Sequence, residues 1–435
     1  MEFSLYDKFY FYNNQGKSMT AELIYSLYKN INSEELKKAV SNALEIFPTW
    51  KVKPLLDENG RVVFTENNAD VPVYKEDDKR ISLGSEATNG YLFKISYKDS
   101  VIKLSCFHAL GDGHVMSLFM LHVLYFYLTN MGISIDSEGM IYDKTPQKAL
   151  EDIVTKANEY ISSDDSENKP VKDEIKKHYI EDFDMPYFMT DKSYTIDIEF
   201  AYSQLAPYLK ENNTTLTIML MDLIAKSMIK AYKIEDDHDL RICLAADLRK
   251  AFDTESFHNF AADVQIVYDN EVKCTSTKNR FSLLKDKIKT NMDLGKLAGY
   301  IIENVESIKL LEQYLRLDQY EPIKALMVKG QKDKLVSYYV SSMGVVKFPK
   351  DMMNHVKDVS ISGNPVKPET NYYIYTFGDK CVIKIRQNHD KKDVSKNICE
   401  YLKQLDVDVK CIDIGLESYD FIDPDQFSKL NIKEE

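Results

Sequence analysis

His108 and Asp112 stand four residues apart in "CFHALGDGHVMSLFMLHVLYFYL" (106–128), where a strand-like apolar pattern gives way to a helix-like one around Gly111 and Gly113. Imidazole is the side chain whose ordinary pKa lies near neutrality, so a histidine at a strand end is suited to taking a proton from a nucleophile. The aspartate falls at a helix start, where a carboxylate accepts from open backbone N–H groups and complements the helix dipole. Base and brace is therefore one reading of the pair. A strand–loop–helix whose lone histidine is merely hydrogen-bonded is the other, and on these residues alone it is the commoner outcome.

Other chemistry near the pair is weaker. His114 and His122 are eight residues apart and on a straight helix do not reach one ion; no H-E-x-x-H or other closed ligand set occurs, so no metal is expected. Cys106 and His108 share a strand face with Cβ atoms about 7 Å apart, which suits packing better than proton transfer. Cys106, His114 and His122 are thus expected to pack. The sequence has no G-x-S-x-G elbow, P-loop or strand-following G-x-G-x-x-G. Serine hydrolysis, nucleotide-dependent chemistry and a dinucleotide site are left without support.

The elements that must hold the pair follow from periodicity. Residues 90–107 read as a hairpin turning at Lys98-Asp99-Ser100, and its second arm delivers His108. From Asp112 to Leu128 the apolar residues are nearly continuous, the pattern of a helix buried on most sides. A capped amphipathic helix is predicted over 32–48, stopped by Pro48, and a strand over 61–67. The charged stretch "SSDDSENKPVKDEIKK" (162–177) reads as a solvated linker, dividing the chain into lobes 1–185 and 186–435. The second lobe is predicted to carry strands over 194–200 and 239–249 and near 335–341, 371–377, 380–386 and 409–413. Its helices are predicted over 215–232, 278–293, 296–318 and 393–405. Each half mixes strands and helices, which points to a repeated α/β sandwich.

A chain of 435 residues is long enough for two such lobes. The formal net charge of −13 repels nucleic acid, and the basic window "KNRFSLLKDKIK" (278–289) reads as one face of a surface helix. No stretch approaches the roughly 20 apolar residues of a membrane span. The opening residues are broken by charge, unlike a leader, and the six scattered cysteines form no C-x-x-C pair. A cytoplasmic protein with free, buried thiols is expected.

The hexapeptide His108-Ala-Leu-Gly-Asp112-Gly113 resembles the H-x-x-x-D-G signature of the chloramphenicol acetyltransferase-like superfamily. That superfamily includes peptide-synthetase condensation domains, plant BAHD acyltransferases, wax ester synthases and alcohol acetyltransferases. Three further stretches resemble it in the same order: 31–53, "LAADLRKAFDTESFHNFAADV" (244–264) and "VSSMGVVKFPKDM" (340–352). The bacterial alcohol acetyltransferase-like group, where Phe precedes the histidine, is the nearest in character. Phe107 replaces the first histidine of the fuller H-H-x-x-x-D-G form, and the plant D-F-G-W-G is absent, Trp50 being the sole tryptophan.

The resemblance implies two α/β lobes in a V, with a channel between them and His108 near its middle. It implies an acyltransferase that takes an acyl group from acyl-CoA or acyl-phosphopantetheine, as co-substrate and not as a resident cofactor, to a small alcohol or amine. In that scheme His108 is the general base, and backbone N–H groups around Gly113 meet the oxyanion. Asp112 would pair with a base in the first half, matched here by Lys51 or else by Lys53. Asp247, Arg249 and Asn259 would brace the lobe interface. Ser341, Ser342 and Gly344 match a turn that approaches the channel, with Ser341 as helper and Ser342 standing where Asn is usual. No carrier-like segment occurs in the chain, so an acyl carrier protein would act in trans on a monomer. A condensation-type enzyme using carrier-bound substrates and a non-catalytic binding protein of the same fold are the competing readings.

Overall fold

In a computed structural model, which describes residues 5–12, 19–76, 80–163, 179, 192–314, 336–364, 370–423 and 426–427, the hairpin leading to His108 forms as its pattern requires. Phe93–Lys98 and Val101–Phe107 pair antiparallel, and Asp99 turns the chain at φ 50°. Six residues on, Gly113–Asn130 is a helix with Val115, Met116, Phe119, Met120, Val123 and Leu124 all buried. Each such large side chain contributes about 1.5–3 kcal/mol on burial. Trp50 stacks on Phe119 with ring centroids 4.1 Å apart, fixing the helix against the short turn Pro48–Trp50. The helix predicted over 32–48 spans Ser33–Ile46, and the Asn32 side chain accepts from Glu34 N and Glu35 N.

The first sheet runs in the order Val356–Gly363, Thr20–Leu27, Val101–Phe107, Phe93–Lys98, Val73–Lys75. Its edge strand comes from far down the chain: Ala21 lies opposite Gly363 and Tyr25 opposite Val359. The second sheet has seven strands, in the order Ala261–Tyr268, Leu240–Asp247, Tyr338–Val345, Thr370–Phe377, Lys380–Gln387, Lys192–Ala201, Val409–Ser418. Helices Leu216–Tyr232 and Asp393–Lys403 pack together in the core of this second lobe.

Two elements join the lobes. Strand Val356–Gly363 belongs to the first sheet although its neighbours in sequence build the second. Helix Leu5–Tyr12 places Phe11 in the core of the first lobe and Tyr6 in that of the second. Residues 164–177 of the expected linker and the expected boundary at 185 lie outside the described residues. Ser162 and Ser163 instead close a helix, Ile153–Ser163. The basic window lies on helix Thr277–Asn291, as expected. Not every thiol is buried: Cys274 and Cys411 are exposed, the latter because it sits on a sheet edge.

Candidate active site

His108 opens a short turn, His108–Leu110, at the end of its strand, and its backbone N–H donates to Met19 O at 2.9 Å. Its Nδ1 lies 3.1 Å from Asn259 Oδ1. The tautomer follows from the neighbours of the amide. Asn259 Nδ2 donates to Asp7 Oδ1 at 2.7 Å and to His108 O at 3.0 Å, both of them acceptors only. Oδ1 is thereby fixed as the acceptor facing the ring, so Nδ1 carries the proton and Nε2 carries the lone pair. Tyr10 stacks on the imidazole at 4.3 Å and 16°. Burial pushes the imidazole below the ordinary histidine range, against the pull of Asp112, the Asn259 hydrogen bond and Asp7. At neutral pH the ring is an uncharged base.

Behind Asn259 stands a carboxylate with no exposed surface. Asp7 accepts from Asn259 N and Nδ2 through Oδ1, and its Oδ2 lies 2.8 Å from His258 Nδ1. Sequence reasoning passed over Asp7. The available signal was an acid between Tyr6 and Phe11, on a stretch whose other residues are mostly aromatic.

Asp112 does cap the helix: Oδ1 accepts from His114 N at 3.1 Å and Val115 N at 3.3 Å. Its countercharge, however, is not Lys51. Asp112 Oδ2 accepts from Arg249 Nη1 at 2.9 Å and from Phe260 N at 2.8 Å, both in the second lobe. The carboxylate faces the seam between lobes, and the guanidinium fills its remaining lone pairs there. Lys51 pairs on the surface with Glu45, and Lys53 lies on the outer hairpin strand Val52–Leu56. Burial pushes the Asp112 carboxyl up, but the Arg249 charge and the two hydrogen bonds more than offset this and hold it below the usual range. Arg249 also donates to Asp247 Oδ1, Ser256 O and His258 O. Asp247, Arg249 and Asn259 thus all lie at the seam, with Arg249 and Asn259 bonded across it.

A cavity of about 220 Å³ opens between the lobes, lined by His108, Gly113, Ser341 and Met343 among others. Strand Tyr338–Val345 is irregular between Ser342 and Gly344, where Gly344 takes φ 66°, and the irregularity turns Met343 toward the first lobe. A Cβ on Gly113 would sit 2.8 Å from Met343 Cε, so glycine here accommodates the opposing methionine. The cap uses the N–H groups of His114 and Val115, and this leaves Gly113 N–H, of those around Gly113, for a ligand. Ser341 borders the cavity with only a 3.9 Å contact to Met343 Sδ. Ser342 does not: it hydrogen-bonds Thr217 Oγ1 at 2.8 Å, anchoring the strand to helix Leu216–Tyr232. Cys106 is core, and burial raises its thiol pKa. His122 is wholly buried, with Tyr142 N donating to Nε2, and burial pushes it down to about 4. His114 departs from its expected packing role: it is half-exposed, 3.5 Å from Asp247.

No family model matches the chain, and no curated protein is similar to it in sequence. Its fold is similar to that of several solved structures. One is polyketide synthase associated protein 5 from Mycobacterium tuberculosis, at TM-score 0.59 and 11% identity over 92% of this chain and 96% of that one. Another is the epimerization domain from the third module of tyrocidine synthetase B, at TM-score 0.60 and 9% identity over 93% and 96%. A third is trichothecene 15-O-acetyltransferase from Fusarium sporotrichioides, at TM-score 0.56 and 11% identity over 93% and 94%. The two-lobed fold of condensation domains and chloramphenicol acetyltransferase-like acyltransferases is the fold of this chain.

Proposed function

We propose that the protein is an acyltransferase that moves an acyl group from a thioester to a small alcohol or amine, with His108 as general base. The observation that supports this most is the locked Asn259 amide, which keeps Nδ1 protonated and Nε2 basic on a ring bordering a cavity shared by both lobes. Nε2 takes the proton of the acceptor as its oxygen or nitrogen attacks the thioester carbonyl. The tetrahedral oxyanion is met by Gly113 N–H at the helix N-terminus and by the Ser341 hydroxyl. Collapse breaks the C–S bond, and the departing thiolate takes the proton back from His108 as a thiol.

The donor is acyl-CoA or a carrier-bound acyl-phosphopantetheine. The amide oxygens of Asn364 and Asn371, buried at the cavity wall without hydrogen-bond partners, suit the N–H groups of a pantetheine arm. The protein is taken to act as a cytoplasmic monomer. Among the described residues no helix is long and apolar enough to cross a membrane. A condensation-type reaction remains the second reading, supported by the likeness in fold to the condensation domain from Monacolin K polyketide synthase MokA.

Thiol release measured over a panel of acyl-CoA donors, with alcohols and amines as acceptors, tests the reading. His108→Ala is expected to abolish release while keeping its circular dichroism spectrum. A folded His108→Ala protein with full activity would overturn the proposed role. Release confined to carrier-bound donors would shift the assignment to the condensation-type reaction.

A further inference from the structure

The acyl-transfer chemistry leaves one carboxylate of the cavity unused. Asp263 stands on strand Ala261–Tyr268 opposite Ala245, and both side chains border the cavity. Around it lie Tyr6 and Tyr10 of the N-terminal helix, Tyr300 and Asn304 of helix Leu294–Tyr314, and Tyr339. Asp263 accepts from the Tyr339 hydroxyl and the Cys243 thiol. Its charge reaches Tyr6, Tyr10 and Tyr300, and Tyr10 is the ring stacked on His108.

Four buried carboxylates among the described residues have a basic partner built in. Glu22 faces Lys103 and Arg386, Asp222 faces Lys226 and Arg280, Asp420 faces Lys94, and Asp112 faces Arg249. Asp263 has none. Among the described residues lining the cavity there is no Lys or Arg, and His108 is neutral. A carboxylate withdrawn from water is costly until a cation meets it. Burial holds the Asp263 carboxyl above its usual range, as an unmet countercharge requires. Aromatic faces around an acid form a setting in which an ammonium group is bound by both charge and ring quadrupole.

We propose that Asp263 and its surrounding tyrosines bind a protonated amine on the acceptor, so that the acceptor is an amino alcohol or a diamine and not a neutral alcohol. This rests on the acyltransferase reading for the word acceptor, though the amine site itself does not. The held ammonium is not the attacking group, because a protonated nitrogen has no lone pair. It anchors one end of the molecule while the second hydroxyl or amino group meets His108. The row of residues from Asp263 through Ala245 to the strand of Tyr373 crosses three strand spacings, about 14 Å at ~4.8 Å each. The acid therefore lies at one end of the cavity, and Asn371 and Tyr373 lie at the other.

Calorimetric binding of amino alcohols from ethanolamine to hexanolamine, beside the diols of matching length, tests the site without any need for turnover. The best amino alcohol is expected to bind roughly tenfold or more tightly than its diol, the scale of a desolvated cation on an aromatic face. In Asp263→Asn that preference should fall to about one, and Asp263→Glu should recover part of it. A preference unchanged in Asp263→Asn, a wild-type protein that does not distinguish amine from diol, or no binding of any amino alcohol at millimolar concentration would each overturn the proposal. Amine binding that requires Asp263 in a protein with no acyl-transfer activity would uphold the site and overturn the acyltransferase reading instead.

Discussion

Two carboxylates cross the seam between the lobes, and they end in different ways. Asp112 leaves the first lobe and finds every acceptor position filled: two helix N–H groups on one oxygen, Arg249 and Phe260 N on the other. Asp7 reaches the same segment of the second lobe, but its bonds continue through Asn259 into an imidazole that keeps one nitrogen open. The first network is closed and can only hold. The second passes its directionality to a reactive atom. A carboxylate beside a histidine in sequence is thus the brace, and the carboxylate a hundred residues away sets that histidine's tautomer.

Removing the closed network should cost the most. Arg249→Leu strands the Asp112 charge in the seam and is expected to lower unfolding free energy by about 3–5 kcal/mol. Chemical denaturation measures this, and Asp112→Asn combined with Arg249→Leu should be less damaged than Arg249→Leu alone. Additive losses would show that the two side chains do not act as a pair. The open network should show the opposite profile. Asn259→Ala frees the tautomer of His108 and is expected to lower kcat/KM about 10²-fold, near 2.7 kcal/mol, with a smaller change in unfolding free energy than Arg249→Leu. Stability lost as heavily as in Arg249→Leu, with activity spared, would erase the distinction.

The smallest effect separates the two by pH. In the proposed reaction His108 acts unprotonated, and burial lowers its pKa, so kcat/KM should fall on the acid side with a midpoint below 6.5. Asp112 has a lowered folded pKa, so its contribution to stability is present above 3.8 and fades as pH drops further through the folded value. An activity midpoint above 6.5 would contradict a buried, neutral base.

The hairpin and the helix after it were legible because their patterns are contiguous, whereas the seam residues were reached only through the resemblance of 244–264 to a known superfamily. A strand period hands over to a helix period at His108, and Arg249 and Asn259 fall within one short segment. What escaped depended on distance along the chain. Asp112 is 137 residues from its guanidinium, while the family resemblance points to a base in the first half, matched by Lys51. Asp7 and Asp263 gain meaning only where helix Leu5–Tyr12 packs over the second lobe. Strand Val356–Gly363 reads "VKDVSISG", half polar because it lies at an edge, and neither its period nor its composition announces the sheet it joins. Ser342 matched the expected turn by position, yet the chain bends there so that its hydroxyl serves the scaffold.

That exchanged strand makes the protein indivisible. A fragment ending before residue 356 would leave Thr20–Leu27 as a bare sheet edge, with its row of unpaired N–H and C=O groups ready to template aggregation. The late strand must also find its register across more than three hundred residues, so the first lobe cannot finish folding until residues 356–363 have been synthesised. The cavity between the lobes therefore forms only once that strand has tied the seam.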